Sequence, residues 1–221
     1  RRPAMGAVMA TRMTERAARP AIVAKRARAL GAKRVMDIVL GAPALIVAAP
    51  LMALIALAVK LTSRGPVLYW QERVTLHGVV FEMAKFRTMV EDAEVITGPV
   101  WARLGDPRCT PLGRWLRRWS LDELPQLWHV VRGDMSLVGP RPERPHFIEL
   151  FRLRAPGYDR RHDVKAGITG WAQGNGCRGN TPIARRTAYD LEYVDRRSLA
   201  FDLAIVAKTL ATGAFIDRGA G

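Results

Sequence analysis

Hydrophobic and polar positions divide the chain into a long uncharged stretch near its start and a longer, mixed remainder. Residues 38–59 contain no charged side chain. As a helix, that run would measure about 33 Å, close to the hydrocarbon thickness of a bilayer. Three features argue against a plain crossing. Pro43 and Pro50 interrupt the run, and Pro50 lies near its centre, where a kink is expected. Asp37 stands at its start. Lys25, Arg26, Arg28, Lys33 and Arg34 precede it, and Lys60, Arg64 and Arg73 follow it. Both flanks are therefore of the kind that stays cytoplasmic. A re-entrant helix that bends at Pro50 and returns to the same face satisfies both. A spanning helix and a buried core helix are the alternatives.

Beyond residue 62 the repeats shorten. Residues 67–70, 73–76 and 79–86 read as strands, the last two joined at His77-Gly78, a hairpin signal. Residues 113–119 read as an amphipathic helix, with Arg114, Arg117 and Arg118 beside Trp115 and Trp119. That pattern suits an ordinary surface helix or, near a membrane, an interfacial one. Further helices are predicted over 124–132, 147–153, 182–197 and 201–215. The glycine-dense residues 167–176 read as a loop and match neither a Walker A nor a dinucleotide fingerprint. The predicted fold class is α+β and helix-dominated: a re-entrant membrane helix-break-helix plus a small cytosolic domain with a β-hairpin and interfacial amphipathic helices. Three parts follow: a basic N-terminal arm (1–32), a membrane segment (33–62) and a cytosolic domain (63–215).

Charge narrows the partners. The chain has 221 residues, a net charge of +15 and a pI of about 11.0, which calls for an anionic partner: nucleic acid, a membrane surface or a phosphorylated substrate. Aromatics make up only 7%, and no RNP, zinc-finger or helix-turn-helix signature occurs, so nucleic acid is not favoured. Residues 1–34 hold Glu15 as their one acid before the apolar run. They suit a floppy arm or one lying on anionic phospholipid headgroups. Neither Cys109 nor Cys177 has a cysteine neighbour at metal-binding spacing. The sequence leaves a homo-oligomer open.

The candidate chemistry lies in Ser120-Leu121-Asp122-Glu123-Leu124-Pro125-Gln126. An acidic pair among arginines can hold a divalent cation or attack phosphorus while the arginines hold anionic oxygens. Ser120 and Glu123 also have the spacing of a capping box, so a purely structural reading stands beside the catalytic one. Lys85 and Arg87 suit either a solvated edge strand or phosphate contact. Pro140 and Pro142 flank Arg141 in a rigid turn that would pre-place its guanidinium.

Taken in order, these motifs resemble the bacterial sugar transferase family, the monotopic polyprenyl-phosphate phosphoglycosyl transferases. The resemblance rests on Lys33-Arg34-Val35-Met36-Asp37, Gly65-Pro66-Val67, Lys85-Phe86-Arg87-Thr88-Met89, the stretch around Asp122-Glu123, Gly133-Asp134-Met135-Ser136-Leu137-Val138-Gly139-Pro140-Arg141-Pro142, and Gly167-Ile168-Thr169-Gly170-Trp171-Ala172-Gln173. It implies transfer of a sugar 1-phosphate from a UDP-sugar to undecaprenyl phosphate, with release of UMP. It makes Asp122 the nucleophile, with Glu123 beside it at a magnesium ion, and Arg117 and Arg141 phosphate ligands. Pro50 becomes the kink of a re-entrant helix, and the catalytic domain lies on the cytoplasmic face of the bacterial inner membrane. The chain departs from the family pattern at Thr75, Ala166 and Cys177, where the family usually has Gly, Pro and Arg.

Overall fold

The computed structural model describes residues 5–95, 98, 100, 105–177, 179 and 181–213, with backbone alone before residue 31. The first helix, α1 (Met5–Thr62), runs without a break through Pro43 and Pro50. The expected helix-break-helix is thus not seen as an interruption. Each proline removes one internal N–H bond, but the residues around it are apolar and offer the backbone no competing partner. The basic arm expected at 1–32 is likewise helical from Met5 and continuous with the apolar run.

Beyond residue 31, α1 touches the rest of the chain through one narrow face, on which Asp37, Gly41, Ile55 and Val59 are buried. Its beginning is held by polar contacts. Lys33 Nζ lies 2.8 Å from the Asp202 carboxylate. Arg34 donates to the carbonyls of Val130 and Val131, each at 2.5 Å, two of the terminal carbonyls that a helix leaves unpaired. Asp37 accepts from the Ser136 hydroxyl at 2.9 Å and the Leu137 amide at 3.0 Å. Its end is held by packing: Ile55 and Val59 cluster with Phe86 and Leu116. Between these anchors Ile46 and Val47 are 72% and 80% exposed.

Strands β1 (Leu68–Val74) and β2 (Val80–Phe86) form an antiparallel hairpin, with Leu68 opposite Phe86 and Val74 opposite Val80. The two segments expected at 67–70 and 73–76 are therefore one strand. His77 turns the chain in the left-handed region, at φ 57°. Helix α2 (Pro111–Arg118) is capped by the Thr110 hydroxyl, which accepts from the Gly113 amide at 2.9 Å. A Cβ on Gly113 would lie 1.9 Å from the Thr88 carbonyl oxygen, so only glycine lets α2 close on the strand exit. Helix α3 (Gln126–Arg132) ends at left-handed Gly133. Next come β3 (Ser136–Val138), α4 (Pro145–Arg154), β4 (Gly167–Thr169), α5 (Trp171–Gly174), α6 (Ile183–Arg196) and α7 (Leu199–Ala211). β3 and β4 pair in parallel. The glycine-dense segment read as a loop thus supplies a strand and a helical turn. Its glycines permit close backbone packing: a Cβ on Gly167 would lie 2.1 Å from the Gly139 amide nitrogen.

Two of the departures from the family pattern meet. The Ala166 amide donates to the Thr75 hydroxyl at 3.1 Å, and that hydroxyl donates to the Asp134 carbonyl at 3.1 Å. Proline at position 166 has no N–H to satisfy; alanine there exposes one, and Thr75 supplies its acceptor. We expect Thr75→Val to cost ~1–3 kcal/mol by stranding the Ala166 amide. Adding Ala166→Pro should recover much of that loss. A double-mutant cycle measured by denaturant unfolding checks the coupling.

Candidate active site

The hairpin, the α2–α3 corner and the turn after β3 enclose a cleft of about 780 Å³. Lys85, Arg87, Arg117, Asp122, Glu123, Arg141 and Pro142 all line it. Pro140 is buried outside it, within the turn. Pro50 lies exposed on α1 and takes no part.

Each group is placed by its local structure. Lys85 and Phe86 are neighbours at the end of β2 and point to opposite faces: Phe86 enters the core against α1, and Lys85 enters the cleft. Arg117 comes from the last turn of α2. Leu121–Glu123 form a 3₁₀ turn, entered through Ser120 in the left-handed region at φ 51°. The capping box is not formed: no Ser120 side-chain cap is made, and the Glu123 carboxylate faces the cleft instead.

The acidic pair is strongly asymmetric. Glu123 Oε1 accepts from Lys85 Nζ at 2.8 Å and from Arg141 Nη2; its Oε2 accepts from Arg141 Nη1 at 3.0 Å. Burial opposes ionisation of Glu123, but Arg141 and Lys85 outweigh it and hold the carboxyl well below its usual range. Asp122 is 8% exposed and makes no hydrogen bond or ion pair with any described residue. Burial, reinforced by the neighbouring Glu123 charge, raises its pKa against the pull of Lys85, Arg117 and Arg141. Burial lowers the Lys85 pKa. The Arg141 guanidinium is raised, first by Glu123.

A further ring of groups, not singled out in the sequence, holds the Pro-Arg-Pro turn. Arg73 donates to the Pro142 carbonyl at 3.0 Å and to Glu143 at 3.3 Å. Burial brings the Arg73 pKa down to about 10. Arg161 donates to the Arg141 carbonyl at 2.7 Å and pairs with buried Asp190 at 2.8 Å. Arg144 meets Glu94 through two bonds of 2.9 Å, tying the rim after β2 to the start of α4. Gln173, Cys177 and Arg186 close the far wall. Glu143 and Arg144 directly follow the Pro-Arg-Pro motif, which was the available signal. Arg73 and Arg186 were hidden inside an ordinary strand and helix. Among the described residues no cluster of three or more metal-ligating side chains occurs.

A long apolar helix joined to a small domain whose cleft sets a carboxylate pair among arginines defines a phosphate-handling protein with a candidate membrane segment. The chain belongs to the bacterial sugar transferase family, whose sequence model matches residues 28–215. It is 45% identical over 194 residues to the UDP-glucose:undecaprenyl-phosphate glucose-1-phosphate transferase of Escherichia coli K12, covering 85% of this chain and 41% of that protein. It is 44% identical over 185 residues to the undecaprenyl-phosphate glucose phosphotransferase of Komagataeibacter xylinus, covering 80% and 35%. To the exopolysaccharide production protein PSS of Rhizobium leguminosarum it is 39% identical over 199 residues, covering 86% and 97%. The chain thus spans about two fifths of the length of the first two relatives and nearly the whole of the third.

The asymmetry of the pair predicts opposite effects on stability. Asp122 has a folded pKa above its reference of 3.8, so its charge destabilises the fold once pH rises past that value. Asp122→Asn should therefore raise the melting temperature at pH 7, with the gain vanishing below about pH 4. Glu123 has a folded pKa below its reference of 4.5, so its contribution is present above that pH and fades as pH falls toward the folded value. Glu123→Gln should cost ~1–3 kcal/mol at pH 7, toward the lower end because Arg141 is partly exposed. Thermal unfolding of both variants in detergent at pH 7 and pH 4 checks the signs.

Proposed function

We propose that this chain transfers a sugar 1-phosphate from a UDP-sugar to undecaprenyl phosphate and releases UMP, with Asp122 as the covalent nucleophile. The observation that carries this reading is the contrast within the acidic pair: Glu123 is consumed by Lys85 and Arg141, while the Asp122 carboxylate opens into a cation-lined cleft with no described partner. The printed activities of the relatives supply the substrate classes: UDP-glucose and undecaprenyl phosphate for the Escherichia coli protein.

An anionic nucleophile approaches a diphosphate only where positive charge lowers the repulsion. Arg117 and Arg141 supply it near Asp122, the Pro-Arg-Pro turn being fixed by Arg73 and Arg161. The Asp122 oxygen attacks the β-phosphorus, and the bond from that phosphorus to the bridging oxygen breaks. UMP leaves with the oxygen and the electron pair, and the sugar phosphate stays on Asp122. An oxygen of the acceptor phosphate then attacks the same phosphorus, breaks the Asp122–phosphorus bond and regenerates the carboxylate. No proton needs to move in either step. Glu123 keeps Lys85 and Arg141 charged and in register.

Magnesium fits this donor set in a limited way, because such ions are commonly held by one or two carboxylates together with substrate phosphates. Asp122 has oxygens to give, whereas Glu123 would first have to release an arginine or lysine bond. When bound, the ion neutralises diphosphate charge and stabilises the departing UMP.

The membrane reading extends to a re-entrant α1 on the cytoplasmic face of the bacterial inner membrane. In the unbroken α1 Asp37 and Val59 stand about 33 Å apart, and a crossing would put them on opposite sides of the hydrocarbon. Here both ends are fastened to one folded unit, and the bare middle exposes Ile46 and Val47. The basic flanks stay with the domain at anionic headgroups. A non-catalytic scaffold is the competing reading.

Purified protein in detergent, given magnesium, undecaprenyl phosphate and a panel of UDP-sugars, should release UMP with one or more donors. Asp122→Asn should abolish that release. The donor kcat/KM should fall on the acid side through an apparent pKa above 3.8, because only the ionised carboxylate attacks. A scaffold would release no UMP with any donor.

A further inference from the structure

Arg87 is a cation of the cleft that the Asp122 centre does not use and that has no ion-pair partner among the described residues. It is 6% exposed and lines the cleft. Its Nη2 donates to the Ser63 carbonyl at 3.0 Å and the Ser63 hydroxyl at 2.8 Å. Its Nε and Nη1 are buried with no hydrogen-bond partner. No carboxylate among the described residues comes within ion-pair distance of it, whereas Lys85, Arg141, Arg144 and Arg73 each have one. A buried guanidinium left with two unsatisfied nitrogens and no carboxylate within ion-pair distance is costly. Such a group fits a site that an anion occupies during the working cycle.

Its place in the fold says which anion. Ser63 directly follows the end of α1, just beyond the uncharged run. Phe86, the neighbour of Arg87, packs against Ile55 and Val59 of that helix. Arg87 therefore stands where the apolar helix meets the cleft. Arg186, Gln173 and Cys177, which also line the cleft, come from the chain after β4. Gly65 lets Arg87 pack against the backbone: a Cβ there would lie 2.2 Å from Nη1 and 3.0 Å from the Glu91 carboxylate. Glu91 is exposed and lines the cleft beside Arg87 without pairing to it.

We infer that Arg87 forms a second anion subsite at the membrane edge of the cleft and takes the phosphate monoester of the lipid acceptor, apart from the Asp122 centre that handles the donor. The inference rests on the transferase reading above. A polyprenyl chain stays in the hydrocarbon, so its phosphate must reach the cleft from the edge that α1 borders. A guanidinium with two unpartnered N–H groups suits a phosphate, and Ser63 holds its third nitrogen. Glu91 repels a doubly charged phosphate and moderates how tightly the acceptor is held.

The test measures binding without turnover, using full-length protein in detergent with three probes: farnesyl phosphate, inorganic phosphate and UMP. Arg87→Gln should weaken farnesyl phosphate by about 10- to 100-fold, the loss expected for a charged hydrogen-bonded contact, and leave UMP binding as in the parent protein. Glu91→Gln, at an exposed position, should tighten farnesyl phosphate. In steady-state assays Arg87→Gln should lower kcat/KM for the lipid acceptor and leave kcat/KM for the UDP-sugar intact. Equal losses for UMP and farnesyl phosphate, or no loss for farnesyl phosphate, would overturn the assignment. Inorganic phosphate binding as tightly as farnesyl phosphate in the parent protein would also overturn it, since the site would then not read a lipid. If Arg87→Gln does not fold, Glu91→Gln decides: tighter binding supports the subsite, and unchanged or weaker binding overturns it. Protein that releases no UMP yet binds farnesyl phosphate through Arg87 would refute the transferase reading and keep the subsite.

Discussion

Two neighbouring buried carboxylates cannot share one corner of a cleft on equal terms, and the structure divides them. Arg141 and Lys85 converge on Glu123 and keep it ionised. Asp122 is left with burial against it and cations only at a distance. The arrangement follows a general pattern in which adjacent acids acquire different roles because their surroundings drive their pKa values apart. The surrounding pieces serve this division. The hairpin delivers Lys85, the left-handed entry at Ser120 turns the pair into the cleft, and Arg73 and Arg161 brace the turn that presents Arg141.

The second constraint is the attachment of α1. Its polar entrance is tied to α3, β3 and α7, and its exit packs under the end of β2. The same strand end carries Phe86 into that contact and flanks it with Lys85 and Arg87 in the cleft. The apolar helix and the candidate chemistry are thus separated by a single residue along β2. The proposed transfer from a water-soluble nucleotide to a lipid calls for such a junction, and the register of one short strand supports it.

Much of this was legible in the chain. The charge-free run, the hairpin at His77-Gly78, and the helices containing Arg117 and Tyr193 all leave strong local patterns. The cleft residues drawn from motifs, Lys85, Arg87, Arg117, Asp122, Glu123 and Arg141, line one cavity. What was hidden depends on contacts between distant segments. The parallel β3–β4 pair joins three-residue strands, too short to show alternation, and one lies among glycines that mimic a loop. Arg73 and Arg161 act through carbonyls rather than through a motif. The Ser120–Glu123 spacing suggested a cap, but two cations on other elements compete for that carboxylate and win. Helix continuity through Pro50 could not be read from proline content alone, since neighbouring residues decide whether a lost bond ends a helix.

The most direct test of the central claim is the mass of the protein itself after exposure to its donor. Incubated with magnesium and an accepted UDP-sugar, with acceptor lipid omitted, the chain should gain the mass of one sugar phosphate, localised by peptide mapping to Asp122 and lost on adding undecaprenyl phosphate. An unmodified Asp122 under conditions where the same preparation releases UMP, or an adduct mapped to another residue, would contradict the account.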